Sequence, residues 1–258
     1  MSRNLQENAR IALACMDLTS LGEADTPLIV ADLVSRSHSA AGVPAALCVW
    51  PRFVRQVVAG VQAGQRVAAV ANFPSGAQPL AQVLTQVRGI LADGGDEVDL
   101  VLDWQALRRG GPANLQAAAA AVRAVRRACR RATLKLIIES GELREPDLIV
   151  QASRIGLNEG VDFLKTSTGK TPTGATPEAA RVMLEAIATH PRGAVVGFKA
   201  SGGVRTVADA RVYIDLVDEI LGPQAVRPAR FRIGASGLLA DVQAVLGTST
   251  TANGREAY

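Results

Sequence analysis

A chain of 258 residues that is 48% hydrophobic and carries a net charge of +4 has room for one α/β barrel of ~250 residues and apolar side chains enough for its core. No apolar run approaches the ~18 residues of a membrane span, and the opening MSRNLQENARIALACMDLTS lacks the apolar stretch of a signal peptide, so a cytoplasmic protein with no membrane partner is expected. Basic residues are spread along the chain and aromatics make up only 3% of it, which argues against nucleic acid as a partner.

In chain order, residues 1–14 read as a helix ahead of the first strand, placed to close the barrel's N-terminal end. Short β-rich apolar runs then recur: CMDLT (15–19), ALCVW (46–50), RVAAVANF (66–73), EVDLVLD (97–103), LKLIIES (134–140), DFLKTS (162–167), AVVGFKA (194–200) and RFRIGAS (230–236). Between them lie segments with apolar spacing of three and four, such as 178–190, preceded by Thr176 as N-cap and Pro177 as first helical residue, and 207–221. The basic run RAVRRACRR (123–131) continues an Ala-rich helix and reads as a solvated face. Eight strands alternating with helices, without a linker, predict a single (β/α)8 TIM barrel over residues 1–258, with 1–14 an extra N-terminal helix and 248–258 a mobile C-terminal tail. A doubly wound open sheet is the alternative, because counting strands does not show closure.

Three scattered cysteines, Cys15, Cys48 and Cys129, suit neither a disulfide framework nor a metal site and read as reduced core residues. His38 and His190 stand alone, so neither a metal nor a histidine-based triad is expected. The basic residues carry a sharper signal: of 28, only Lys135, Lys165, Lys170 and Lys199 are lysine. Arginine cannot replace a lysine that must lose its proton, because guanidinium stays charged at any working pH.

Two of these lysines lie in FLKTSTGKTP (163–172), whose Gly-Lys-Thr resembles the end of a phosphate-cradling nucleotide loop. That motif needs a glycine where the chain has Leu164, and a helix where it has Pro172 and Gly174, so the nucleotide reading fails. Barrel active sites lie at the C-terminal ends of the strands, which is where Lys165, Lys199, Asp17 and Asp99 fall, with Gly202, Gly203 and Ser236 in the loops beyond. Lys165 and Lys199 occupy matching places in consecutive strands. At ~5–6 Å and an effective dielectric of ~20 their ammonium groups repel by about 3 kcal/mol, enough to leave one neutral and able to attack a carbonyl. Asp99 interrupts an apolar strand on the face of Val101 and Asp103, so it needs a lysine partner, while Lys135 and Glu139 are expected to neutralise each other. The Gly-Gly of SGGVRT and the Ser of GASG offer amides and a hydroxyl to an anion, and with Lys170 they favour a phosphorylated substrate.

CMDLT, DEVDLV, KLIIESGEL, FLKTSTGK, GFKASGGVRT and RIGAS together resemble, in order, the blocks of deoxyribose-phosphate aldolase, particularly its longer bacterial form. The resemblance implies a (β/α)8 class I aldolase that takes part in deoxyribose phosphate catabolism. Such an enzyme cleaves 2-deoxy-D-ribose 5-phosphate reversibly to D-glyceraldehyde 3-phosphate and acetaldehyde, without metal or other cofactor. It implies Lys165 as the Schiff-base lysine, Lys199 as the neighbour that lowers its pKa, and Asp99 as a proton carrier. Lys170, Gly202, Gly203 and Ser236 would hold the phosphate. Asp17 and Thr168 are expected in the same substrate site, with a structural hydrogen-bonding role as the equal alternative for Asp17. Cys48 matches a family cysteine that the chemistry does not need, and Tyr258 matches a tail tyrosine that assists proton transfer. The partners implied are a phosphorylated sugar and acetaldehyde, with room for a homodimer. Gly237 departs from the family form, which often has a second serine there, so weaker phosphate binding is expected. Other readings are a barrel aldolase or transaldolase with a different carbonyl donor, or a non-catalytic binder of phosphate or nucleic acid.

Overall fold

The structure is a computed structural model that describes residues 3–247; the expected mobile tail and Tyr258 lie outside the described residues. Eight strands run in chain order as β1 (Met16–Thr19), β2 (Ala46–Val49), β3 (Arg66–Ala71), β4 (Glu97–Val101), β5 (Thr133–Ile137), β6 (Phe163–Lys165), β7 (Gly197–Ser201) and β8 (Phe231–Ala235). Each pairs in parallel with the next and β8 pairs with β1, so the sheet closes into a barrel and the open-sheet alternative is ruled out. The helices are α1 (Leu5–Ala14), α2 (Pro27–Ser37), α3 (Val54–Val58), α4 (Leu80–Ala92), α5 (Trp104–Arg109), α6 (Pro112–Ala128), α7 (Ser140–Leu143), α8 (Pro146–Asn158), α9 (Pro177–Ala188), α10 (Val207–Leu221) and α11 (Leu238–Val245). None is long and apolar enough to cross a membrane.

Local chemistry sets the boundaries of these helices. Thr176 and Thr206 cap α9 and α10 with their hydroxyls, Asp209 completes a capping box on the second, and Pro177 opens the first with a φ already suited to a helix. Helix α1 packs against α10 and α11, and its last residue, Ala14, lines a cavity at the barrel's N-terminal end. That cavity, of about 1140 Å³, is lined among others by Arg66, Arg130 and Arg131.

The two-residue period of the strands sorts side chains into two cores. In β2, Leu47 and Val49 join the layer beneath the helices, whereas Ala46 and Cys48 point into the barrel. The same alternation sends Val98 and Leu100 outward and Val101 inward in β4, and Leu134 and Leu136 outward and Ile137 inward in β5. The barrel interior thus divides in two. One part is apolar, built from Ala46, Cys48, Ala68, Val70, Phe73, Val101 and Ile137 on and just beyond β2 to β5, and the other is filled by ionisable groups from β1 and β4 to β8.

Candidate active site

Register places the key side chains. Lys165 and Lys199 are direct partners across β6 and β7, Asp99 and Lys135 across β4 and β5, and Lys199 and Arg232 across β7 and β8. Partnered residues of parallel strands project to the same face, so all five side chains enter the barrel. Asp17, Asp99, Lys135 and Lys199 are fully buried, and Lys165, Glu97 and Arg232 are at most 7% exposed. Gly234 makes room for them: a Cβ there would stand 3.0 Å from Cε of Lys199.

Charges so deep persist only when paired, and the pairing here is dense. Asp99 Oδ2 accepts hydrogen bonds from Lys165 and Lys199, each at 2.8 Å, while Oδ1 accepts one from Lys135 at 2.9 Å. Asp17 accepts from Lys199, and from Arg232 at 2.6 Å. Glu97 accepts from Lys135, and from Arg232 at 2.8 Å. The carboxyls of Asp17 and Asp99 are held below the ordinary range: burial pushes them up, and the surrounding cations together more than reverse that push.

The lysines divide in the same way. For Lys199, burial opposes the charge, but Asp17 and Asp99 outweigh it and its pKa rises. Lys135 rises likewise, against burial, through Asp99, Glu97 and Asp17. Lys165 alone of the three falls: burial is the main cause, Asp99 opposes it, and Lys199 adds to it. Strand spacing alone predicts repulsion by Lys199 as the main cause. The structure puts desolvation ahead of it, because Asp99 lies between the two ammonium groups and screens one from the other.

Two further expectations change. Lys135 and Glu139 do not neutralise each other, because β5 ends at Ile137 and the chain turns at Glu139, whose φ is +54°. Lys135 pairs instead with Glu97 and Asp99, and Glu139 serves the loop after β6. Its carboxylate accepts from the Thr168 hydroxyl at 2.6 Å, from the Thr168 amide at 3.2 Å and from the Thr171 hydroxyl at 3.2 Å. Asp103 lies beyond the end of β4 and caps α5 with its side chain, so it does not share the interior with Asp99.

Above Lys165 the barrel mouth opens into a cavity of about 380 Å³. Lys165, Thr168, Lys170, Gly202, Gly203 and Ser236 all line it. Asp17, Asp99 and Lys199 lie beneath and do not reach its wall. The hydroxyl of Thr168 is committed to Glu139 and to the amide of Lys170, at 3.0 Å. The Lys170 ammonium makes no ion pair among the described residues. Gly202 and Gly203 have φ of +87° and +92°, and Gly202 lies so close to Gly174 that a Cβ on it would stand 3.0 Å from the Gly174 Cα. That contact, with the Ala175 amide donating to the Ser201 and Gly202 carbonyls, locks the loops after β6 and β7 together. The larger cavity at the opposite end contains no lysine on its walls, so the chemistry selects the smaller one.

Four features of the site go beyond what the sequence leads one to expect. Glu97 and Arg232 complete the ion cluster; Glu97 is two residues from Asp99 and Arg232 stands between Phe231 and Ile233, so the period that flagged Asp99 marks them too. Arg205 adds a second cation to the rim. Trp50 and Phe73, ring centroids 5.3 Å apart and edge to face, close the apolar part with Leu21 and Trp104.

Residues 11–244 match the family described as DeoC/LacD family aldolase. A deoxyribose-phosphate aldolase of Agrobacterium fabrum is 43% identical over 256 residues, 98% of this chain and 97% of that one. In fold, the chain resembles the apo form of a candidate deoxyribose-phosphate aldolase of Toxoplasma gondii ME49, with a TM-score of 0.86, 25% identity, and 96% and 98% of the two chains covered. It also shares the fold of a deoxyribose phosphate aldolase of Aeropyrum pernix, described as tetrameric, at a TM-score of 0.73 and 24% identity over 96% and 98% of the chains. The sequence blocks, the closed barrel and these likenesses agree: the chain belongs to the DeoC/LacD aldolase family.

Proposed function

We propose that the protein is a class I aldolase that reversibly cleaves 2-deoxy-D-ribose 5-phosphate to D-glyceraldehyde 3-phosphate and acetaldehyde, with Lys165 as nucleophile. The observation that carries this reading is the contrast among three buried lysines. Lys135 and Lys199 are each held by two or three carboxylates, whereas Lys165, at the floor of the mouth cavity, meets Asp99 alone. Its depressed pKa makes the free amine more abundant near neutrality, so activity should rise as pH climbs through that value.

The unprotonated amine adds to the C1 aldehyde of the sugar, and water leaves to form an iminium. Asp99 and Lys199 are joined by a hydrogen bond, and Asp99 accepts another from Lys165; in this reading the two carry the protons. Loss of the C3 hydroxyl proton breaks the C2–C3 bond, releasing the phosphorylated aldehyde and leaving an enamine on Lys165. Protonation at C2 and hydrolysis then free acetaldehyde and restore the amine. Leu21, which lines the cavity and belongs to the buried apolar cluster with Val70, Phe73, Val101 and Ile137, would give the two-carbon fragment an apolar surface. Asp17, out of the cavity's reach, acts by holding Lys199.

Lys170, Gly202, Gly203 and Ser236 line the same cavity as Lys165, and the Lys170 ammonium, the amides of the Gly202–Gly203 turn and the Ser236 hydroxyl would bind the phosphate. Lys170→Ala should raise KM for the phosphorylated sugar about 10- to 100-fold, the effect of losing a hydrogen bond to a charged group. The loss should be at least tenfold smaller for unphosphorylated 2-deoxyribose; equal losses on both would remove Lys170 from the phosphate site. Acetaldehyde release from 2-deoxyribose 5-phosphate tests the reaction itself. Turnover of a ketose phosphate without it would favour a transaldolase. A non-catalytic phosphate binder offers no reason for three lysines around a buried carboxylate.

A further inference from the structure

We propose that Arg232, at the foot of the barrel, is a positioning residue for Lys165: it is the surplus cation that leaves the nucleophile without a carboxylate of its own. This rests on Lys165 being the nucleophile. The interior cluster joins four cations, Lys135, Lys165, Lys199 and Arg232, to three carboxylates, Asp17, Glu97 and Asp99. One cation therefore has no carboxylate of its own within ion-pair distance.

The hydrogen bonds show which one. Arg232 takes Oδ1 of Asp17 and Oε1 of Glu97, leaving Oδ2 of Asp17 to Lys199 and Oε2 of Glu97 chiefly to Lys135. Lys135 also takes Oδ1 of Asp99. The remaining oxygen, Oδ2 of Asp99, is the only one Lys165 reaches, and Lys199 takes it too. No other ionisable group makes an ion pair with Lys165 among the described residues. The thiols of Cys48 and Cys15 are pushed up by burial, and Glu139, also pushed up by burial, spends its oxygens on Thr168 and Thr171 and acts on Lys165 only through space, not as an ion-pair partner. Lys165 is thus the group on which the cluster's charge imbalance falls, although Arg232 never touches it.

Removing Arg232 should therefore strengthen the hold on the Lys165 proton. Without the guanidinium, Asp17 and Glu97 draw Lys199 and Lys135 toward themselves, and Asp99 is left to Lys165. Removing Glu97 should act in the opposite sense, because Arg232 and Lys135 would then compete for Asp17 and Asp99.

The test is the pH dependence of kcat/KM in Arg232→Met, Arg232→Lys and Glu97→Gln, beside borohydride trapping of acetaldehyde on the unaltered protein. In Arg232→Met the acidic limb should move to higher pH by about one unit, a tenfold loss below the limb that recovers in alkali. Arg232→Lys should return it toward the original position, and Glu97→Gln should move it to lower pH. A uniform loss at every pH in Arg232→Met, or shifts of the same sign in Arg232→Met and Glu97→Gln, would overturn the proposal. If Arg232→Met does not fold, Glu97→Gln decides alone: a downward shift supports the role, and an unmoved or raised limb refutes it. An adduct on Lys165 with unmoved limbs would defeat only the role of Arg232, whereas no adduct on Lys165 would defeat the nucleophile assignment beneath it.

Discussion

Lys165→Arg should abolish aldol turnover while leaving the barrel folded. The substitution keeps the positive charge beside Asp99, but a guanidinium does not give up its proton and cannot add to a carbonyl. A loss on the order of 10³-fold or more in kcat is expected, equivalent to ~4 kcal/mol of transition-state stabilisation. The fold should survive because Lys165 ends β6 at the cavity floor and makes a single ion-pair contact. Circular dichroism should overlay that of the original protein, and activity within tenfold of it would remove Lys165 from the chemistry.

Asp99→Asn carries the second large effect, and it acts on stability as well as rate. The carboxylate lies among Lys135, Lys165 and Lys199 with no exposure, and an amide offers those three ammonium groups no counter-charge. Breaking a buried ion pair by removing one partner costs about 3–5 kcal/mol, which for a chain of this size lowers Tm by roughly 10 °C. Loss of proton transfer between Asp99 and Lys199 should lower kcat by about 10²- to 10³-fold. The sign of the pH dependence follows from the shift. The folded pKa of Asp99 is depressed, so its contribution to stability is present above the unfolded value of about 4 and is lost as pH falls below it. The difference in Tm between the two proteins should therefore shrink as the pH is taken below about 4. A constant difference would show that Asp99 does not act as a carboxylate.

The barrel was legible because its strands and helices obey different periods without conflict. The predicted helix at 207–221 coincides with α10, where the Thr206 capping box and the apolar spacing agree. The strand ends were less legible. The runs read through 103 and through 140 extend past Val101 and Ile137, because Leu102 and Ile138 continue the apolar pattern after the ladder has stopped. That overrun produced the mistaken pairing of Lys135 with Glu139 and the placing of Asp103 beside Asp99. Lys165, Lys199 and Asp99 stood out because each breaks an apolar strand on the inward face. Glu97 and Arg232 break strands in the same way, but at the foot of the barrel, where a search directed at the C-terminal ends does not look. The place of Asp17 depended on contacts spanning more than 180 residues, with Lys199 and Arg232, which strand spacing alone does not reveal.

The lysine contrast leads to one decisive chemical trial. Borohydride added to the protein with acetaldehyde should reduce the Schiff base to a stable two-carbon adduct, located by peptide mass spectrometry on Lys165 and absent from Lys135, Lys170 and Lys199. A protein that turns over its substrate with Lys165 unlabelled, or labelled at Lys199 instead, would contradict the assignment of the nucleophile.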